Sequence, residues 1–333
     1  MGYRVAVVGA TGLVGQHVMR VLEERRFPVS ELRPLATARS AGRVVEVAGE
    51  RLEVREASAE TLRGADFAFF AASGDVSREL APVAARAGTV VIDKSNTFRL
   101  DPEVPLVVPE VNGDALAGHR NLIASPNCST IQLVVVLKPI LDAFGLRRVV
   151  VSTYQAVSGT GAAAMEELEA ATRAGLEGRE FEPQVYPQPI AFNVLPHCDR
   201  FEDEATTLEE WKLVRESRKI LGRPDLAVTA TAVRVPVRVG HSEAVWLETE
   251  RPADPAALRE VLAAAPGVVV WDDPARNLYP TPLRVAGRDE VFVGRIRRDP
   301  TAGRAFWLWI VADNLRKGAA TNAVQIAEAL IRG

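Results

Sequence analysis

A chain of 333 residues, 47% hydrophobic and 25% charged, is too long for one ordinary core and has the composition of a water-soluble globular protein. Its formal net charge of −3 excludes a global basic field for nucleic acid or anionic membrane, and no apolar run reaches the roughly 18 residues of a membrane span. The two cysteines, Cys128 and Cys198, lie in unlike contexts and do not make a disulfide framework, so a cytoplasmic enzyme is the expectation.

The chain enters a short apolar strand at Tyr3–Val8, leaving no room for a leader peptide ahead of it. The loop Gly9-Ala10-Thr11-Gly12-Leu13-Val14-Gly15 follows, and a helical pattern then runs to about Arg26. Further β-type runs fall at Leu32–Ala36, Phe67–Ala71, Val90–Ile92 and Leu106–Val108, with helical segments such as Ser77–Arg86 between them. Strands alternating with helices predict a Rossmann-type, doubly wound, largely parallel sheet over residues 1–127.

Next, the polar loop Ser125-Pro126-Asn127-Cys128-Ser129-Thr130 opens directly into the apolar run Ile131 to Leu141, which reads as a buried helix. Cys128 is thereby set at or just before a helix N-terminus, where exposed amide N–H groups and the helix dipole favour a thiolate. After Gly145 the pattern changes. A β run at Arg148–Thr153, a helix at Ala162–Ala174, an irregular stretch from Gly175 to Asp203 and a helix at Thr207–Leu221 precede longer alternating strands. Those strands, at Ala227–Val235, Ser242–Glu250, Val291–Arg297 and Ala305–Ala312, predict an antiparallel α+β second domain with one sheet face covered. The last segment, Thr321–Ile331, is amphipathic and is expected to return to the first domain. The boundaries so predicted are 1–127 completed by 313–333, and 128–312.

A strand followed by Gly9-x-x-Gly12-x-x-Gly15 and a helix brings bare backbone to where a pyrophosphate meets helix-terminal N–H groups; a ligand-free tight turn is the alternative. The end of the second strand carries Arg39-Ser40 in place of the acidic residue that usually meets a ribose 2′-hydroxyl. A guanidinium and a hydroxyl suit a 2′-phosphate, so the pair predicts NADP(H).

Cys128 stands among polar neighbours, unlike an ordinary core cysteine, whereas Cys198 beside His197 reads as a small buried hydrophobe. Gln155 ends a strand before a Gly/Ser-rich turn. Of four histidines, His17 and His119 read as surface, and His241, following Gly240 between two strands, is the best acid/base candidate. Arg234 is a candidate clamp for a carboxylate, and Arg99 and Lys212 are candidate phosphate ligands. No metal is called for.

These segments occur in a familiar order. On Gly9 to Gly15, Arg39-Ser40, Ser125 to Thr130, Gln155 to Gly161, Glu210-Trp211-Lys212, Arg234 to Glu243 and Asp313-Asn314-Leu315, the chain closely resembles aspartate-semialdehyde dehydrogenases over essentially its full length. The resemblance implies a glyceraldehyde-3-phosphate dehydrogenase-like second domain and a homodimer paired through it. It implies that Cys128 is the nucleophile and thioester site, His241 the acid/base, and Gln155 the residue orienting the intermediate. Arg234 and Glu210 are implied to bind the amino-acid end of the substrate, with Arg99, Asn127 and Lys212 holding phosphate. Gly9, Thr11, Gly12, Leu13, Val14, Arg39, Ser40, Ser158, Gly159 and Asn314 are implied to line NADP. The small-molecule partners implied are aspartyl phosphate, aspartate semialdehyde and inorganic phosphate.

Thr207-x-x-Glu210 is also a capping-box pattern, which gives Glu210 a structural alternative, and Glu209 rather than Glu210 shares a helix face with Lys212. The alternatives at the level of function are an N-acetyl-glutamyl-phosphate reductase, a non-catalytic NADP-binding relative, and a cysteine hydrolase built on Cys128 and His241.

Overall fold

The computed structural model describes residues 2–332, and the chain divides into two compact units. The first comprises the residues up to Asn127 with those from Ala319 onward; the second runs from Cys128 to Gly318, so residues 313–318 fall with it rather than with the first.

The first unit is built on six parallel strands: β1 (Tyr3–Val8), β2 (Val29–Ala36), β3 (Arg55–Glu56), β4 (Phe67–Phe70), β5 (Val90–Asp93) and β6 (Leu122–Ala124). Their spatial order is β3-β2-β1-β4-β5-β6, the doubly wound order that places a ligand crevice at the carboxyl ends of the strands beside β1. From Val5 to Val8, β1 is continuously apolar because both of its faces are covered there. Val5 and Val7 join Phe67, Phe69 and Ile92 in one cluster with α1 (Leu13–Glu24) and the C-terminal helix Thr321–Arg332. Ala6 and Val8 join Ala68, Phe70 and Val91 in another, beneath α2 (Gly74–Arg86). A bidentate bond from Arg25 to Glu328, at 2.8 and 2.7 Å, fixes the C-terminal helix on α1. The run expected at Leu106–Val108 makes only a bridge from Leu106 to Ala124; Pro109, which cannot donate a ladder bond, starts a short helix instead.

The second unit opens with α3 (Cys128–Phe144), whose Ile131, Leu133, Val134, Val135, Val136, Leu137 and Ile140 are buried. Its sheet contains β7 (Arg148–Gln155), β8 (Ala227–Arg234), β9 (His241–Glu248), β10 (Val268–Val270), β11 (Val291–Arg298) and β12 (Ala305–Ala312), in the order β8-β7-β9-β12-β11-β10. This sheet is mixed, not antiparallel: β8 runs parallel to β7, and β10 parallel to β11. Parallel neighbours need a long crossover, and α4 (Ala162–Leu176), the irregular stretch and α5 (Leu208–Ile220) supply it between β7 and β8. Helices α3, α5 and α6 (Pro255–Ala264) pack on one face. The other face presents Val150, Ser152, Tyr154, Ala244, Trp246, Trp307 and Trp309, all partly open.

Candidate active site

In the second unit, several strand ends meet at one edge of the sheet. Gln155 closes β7 and Arg234 closes β8 directly opposite it in register, while His241 starts β9 beside the end of β12. Each of the three is nearly or wholly buried, with exposures of 1%, 6% and 0%. The turn after β7 binds them together. Ala156 donates its backbone N–H to His241 Nδ1 at 3.0 Å, and its carbonyl accepts from Arg234 Nη1 at 2.8 Å. Gly159 closes the same turn: a Cβ there would stand 3.1 Å from His241 Nε2 and 3.0 Å from Arg234 Nη1, so only glycine lets the backbone pass so near both rings of charge and polarity. Ser158 and Asn314, expected to line a cofactor, bond each other at 2.9 Å, and Asn314 Oδ1 accepts from the Gly240 N–H at 2.9 Å, which holds the backbone just ahead of His241.

Gln155 reaches into α5. Its amide donates to Glu209 Oε1 at 3.1 Å, and Glu209 Oε2 accepts from Lys212 Nζ at 3.1 Å, the i,i+3 pairing that helical geometry favours. Lys212 also donates to Asp199 at 2.6 Å. Glu210, expected at the substrate, is placed otherwise. Its Oε2 accepts from the Thr207 N–H at 2.7 Å and its Oε1 from the Ala232 N–H at 2.9 Å, so the carboxylate caps α5 and ties it to β8. Glu209 is therefore the acidic residue set among Gln155 and Lys212. Sequence spacing held the signal, since only Glu209 lies three residues before Lys212 on a shared face. Asp199 had no signal: it sits at φ 66° in the irregular stretch.

Cys128 is the first residue of α3, at the positive end of the helix dipole, which favours an anion there. Gly318 lies against it, since a Cβ on Gly318 would come within 2.9 Å of the Cys128 Cβ. Cys198 is buried, and burial pushes its thiol up to about 12, which keeps it neutral; Arg234, Glu209, Cys128 and Glu210 are the charged or ionisable groups within electrostatic range of it.

In the first unit, Gly9 has φ 88° and its missing Cβ would overlap the Ala71 carbonyl, while a Cβ on Gly15 would overlap the Gly9 carbonyl. These contacts explain both glycines as packing requirements of the strand-to-helix turn. Gly12 is the N-cap of α1 and makes no side-chain cap, and no acidic residue lies in the first turn, so the helix start offers bare N–H groups to a phosphate. Arg39 is exposed and Ser40 buried in a short turn after β2, at the carboxyl edge of the sheet. Arg99 is 6% exposed and donates to the carbonyls of Ser125 at 3.0 Å and Lys94 at 2.7 Å, while Lys94 Nζ donates to the Pro126 carbonyl at 2.6 Å. Together they fix the Ser125-Pro126-Asn127 segment that leads into Cys128. Among the described residues no cluster of three His, Cys, Asp or Glu side chains is arranged to hold a metal ion, and no helix is long and apolar enough to cross a membrane.

Two family models match: semialdehyde dehydrogenase, NAD binding domain, over residues 4–119, and semialdehyde dehydrogenase, dimerisation domain, over residues 137–317. The chain is 53% identical to an aspartate-semialdehyde dehydrogenase of Aquifex aeolicus, covering 100% of this chain and 99% of the relative, and 49% identical to that of Bacillus subtilis, covering 99% and 97%. It is also similar to the crystal structure of Vibrio cholerae aspartate semialdehyde dehydrogenase II complexed with ASA, with a TM-score of 0.95 and 46% identity over 100% of this chain and 99% of that one. A Candida albicans aspartate semialdehyde dehydrogenase with NADP matches with a TM-score of 0.76 and 26% identity over 99% of each chain.

Proposed function

The chain belongs to the aspartate-semialdehyde dehydrogenase family, and from that membership and the geometry of its strand-end cluster we propose how it converts L-4-aspartyl phosphate to L-aspartate 4-semialdehyde with NADPH. The reaction lies on the aspartate route to lysine, threonine, methionine and diaminopimelate. The relatives support this reading and not the N-acetyl-glutamyl-phosphate reductase alternative.

The observation that carries the reading is the meeting of Gln155, Arg234 and His241 at one sheet edge, in the unit whose first residue is Cys128 at a helix start. The Cys128 thiolate attacks the acyl carbon and phosphate leaves, giving a thioester; hydride addition to that thioester then releases the aldehyde. Two steps are needed because phosphate and hydride do not exchange on one carbon at once. Gln155 orients the acyl group. Arg234 pairs with the substrate α-carboxylate, and Glu209, rather than Glu210, takes its ammonium group. Arg99, Asn127 and Lys212 attend the phosphate. The preference for NADP rests on Arg39 and Ser40, with Gly9, Thr11, Gly12, Leu13, Val14, Ser158, Gly159 and Asn314 forming the rest of the cofactor's surroundings.

The protein acts as a homodimer in this reading. The half-open sheet face, where Tyr154 and Trp309 rings pack at 5.4 Å, is the surface that a second copy covers.

The test is absorbance at the nicotinamide band with aspartate semialdehyde, NADP and phosphate, omitting each in turn. Turnover that needs all three supports the reading, and turnover indifferent to phosphate sinks it. Cys128→Ala is expected to abolish turnover while NADPH still raises the melting temperature; residual semialdehyde chemistry in that variant rules out the covalent route.

A further inference from the structure

One buried carboxylate holds down the irregular stretch that follows α4. Glu167 is 6% exposed and accepts three successive backbone N–H groups, from Gln184 at 2.7 Å, Val185 at 2.6 Å and Tyr186 at 3.3 Å. Pro183, Pro187 and Pro189 flank these donors and break any regular ladder, so a side chain satisfies them instead, through charge-assisted bonds. From that anchor the chain crosses the turn after β7. The Tyr186 hydroxyl shares a hydrogen bond with Thr160 Oγ1 at 2.9 Å, and Ile190 and Leu195 are buried in one apolar cluster with Val157. The crossing ends at Arg234, where Leu195 and Arg234 exchange backbone hydrogen bonds at 2.9 and 2.8 Å. β8 is an edge strand, and the last residue of an edge strand frays unless something pairs with its outer side. Leu195 is that partner.

We propose that Glu167 is a positioning residue for substrate binding: by gathering the N–H groups of residues 184–186 it holds the strap 184–195 across the turn after β7, and so fixes the backbone that carries Arg234. This rests on the function proposed above, in which Arg234 meets the α-carboxylate of the substrate, and adds a residue that acts through the strap.

Arg234 is aimed from both ends. The Ala156 carbonyl holds its guanidinium at 2.8 Å, and Leu195 holds its backbone. Loss of the Glu167 anchor breaks neither bond directly. It frees the chain from the end of α4 at Leu176 onward, so that 177–194 rather than 187–194 becomes the loop that must stay ordered for Leu195 to remain docked. Ordering those added residues without fixed partners costs conformational entropy, and the Leu195 pairing opens more often. Each opening leaves the Arg234 backbone without its outer partner. A clamp displaced by part of an ångström then meets the substrate carboxylate less well, since binding of this kind depends on groups held in place beforehand.

The probe is Glu167→Gln in the full-length protein. Glutamine keeps the shape, but its Nε2 only donates, so the N–H groups facing that atom lose their acceptor. Amide hydrogen exchange read by mass spectrometry is expected to quicken by at least about tenfold in the peptides that cover Leu195 and Arg234. Exchange at the parent rate in both peptides overturns the proposal. This readout needs no turnover, so it stands apart from the test of the function itself. In steady-state kinetics well below the melting temperature, the KM for aspartate semialdehyde is expected to rise by at least about fivefold while that for NADP changes little. A protein that is only less stable binds substrate normally once folded, so a lowered melting temperature with an unchanged KM also overturns the proposal. Tyr186→Phe is the second variant, for it keeps the ring, leaves the buried carboxylate in place and loses the bond to Thr160. The exchange rate and the semialdehyde KM are expected to move in the same direction as in Glu167→Gln, by about twofold or more. No movement in either variant overturns the proposal.

Discussion

Gln132 and Glu243 face each other in the interior of the second unit, one helical turn beyond Cys128 on α3 and two residues beyond His241 on β9. Both spacings keep a residue on the same face of its element, so this pair lies one step along the faces that carry Cys128 and His241. Glu243 is wholly buried, and burial holds its carboxyl well above the usual carboxylate range, with the Gln132 amide acting against that rise. No amide atom of Gln132 and no oxygen of Glu243 completes a hydrogen bond, so the ionised form has little to recommend it.

Glu243 therefore makes folding stability depend on pH. An unfolded Glu loses its proton near 4.5, while the folded one keeps it to higher pH. Between those two points the folded state binds one more proton than the unfolded state, so stability falls as pH rises, by up to about 1.4 kcal/mol per pH unit from this group. Glu243→Gln keeps the shape and removes the titration. Calorimetry from about pH 5 to about pH 8 is expected to show the melting-temperature advantage of Glu243→Gln over the parent growing steadily. A difference that stays constant across that range means Glu243 is ionised in the folded protein.

The two adjacent acids of α5 separate by readout. Glu209 bonds the side chains of Gln155 and Lys212, whereas the Glu210 carboxylate accepts from the backbone N–H groups of Thr207 and Ala232. Glu209→Gln is expected to raise the KM for aspartate semialdehyde at least about tenfold, the effect of losing one charge-assisted bond, with little change in melting temperature. Glu210→Ala removes the cap and a cross-link, costing about 1–2 kcal/mol of stability with a smaller effect on KM. The reverse pattern in steady-state kinetics and thermal melts assigns the substrate ammonium to Glu210.

What the sequence made legible follows the range of the interactions involved. The strand–glycine loop–helix opening and the helix start at Cys128 are local, written in residues a few positions apart, and so are β1, α1 and α3. The mixed second sheet was not legible, because whether β8 pairs parallel or antiparallel with β7 depends on partners 79 positions apart in register and on the crossover between them. Val268–Val270 is too short to stand out as a strand at all. The site shows the same divide: Gln155, Arg234 and His241 end or start strands and were visible as such. Asp199 lies in an irregular loop whose position is set only by its reach to Lys212.

Arg39 gives a prediction about cofactor choice. It is exposed in the short turn that follows β2, with Ser40 buried beside it, and no carboxylate stands at that point of the chain to receive a ribose hydroxyl. Bonds from a guanidinium to a phosphate are charge-assisted and contribute about 1.5–3 kcal/mol, or roughly tenfold to a hundredfold in affinity. Arg39→Glu adds repulsion to that loss. The KM for NADPH is expected to rise by at least about tenfold while that for NADH changes little. Equal changes for both cofactors, in initial-rate kinetics with aspartate semialdehyde formation followed in the reductive direction, exclude a role in reading the 2′-phosphate.

Gly318 offers a probe of the nucleophilic role proposed for Cys128 that leaves every polar group in place. Its φ is not in the left-handed region, so alanine brings no backbone strain, and the only consequence is steric: the new methyl would lie 2.9 Å from the Cys128 Cβ, with the Cys128 Cα at 3.3 Å. Contacts under 3 Å between carbon atoms force a shift, and neither partner here is the far end of a flexible side chain. The Cys128 side chain or the first turn of α3 must move by some tenths of an ångström, and a misplacement approaching 1 Å at a reacting atom costs about a hundredfold in rate. Gly318→Ala is therefore expected to lower kcat by about tenfold to a hundredfold, to slow alkylation of Cys128 by iodoacetamide in proportion, and to lower the melting temperature only modestly. Wild-type alkylation and turnover in this variant imply that the helix start accommodates the methyl, and that Cys128 is less tightly seated than its neighbours indicate.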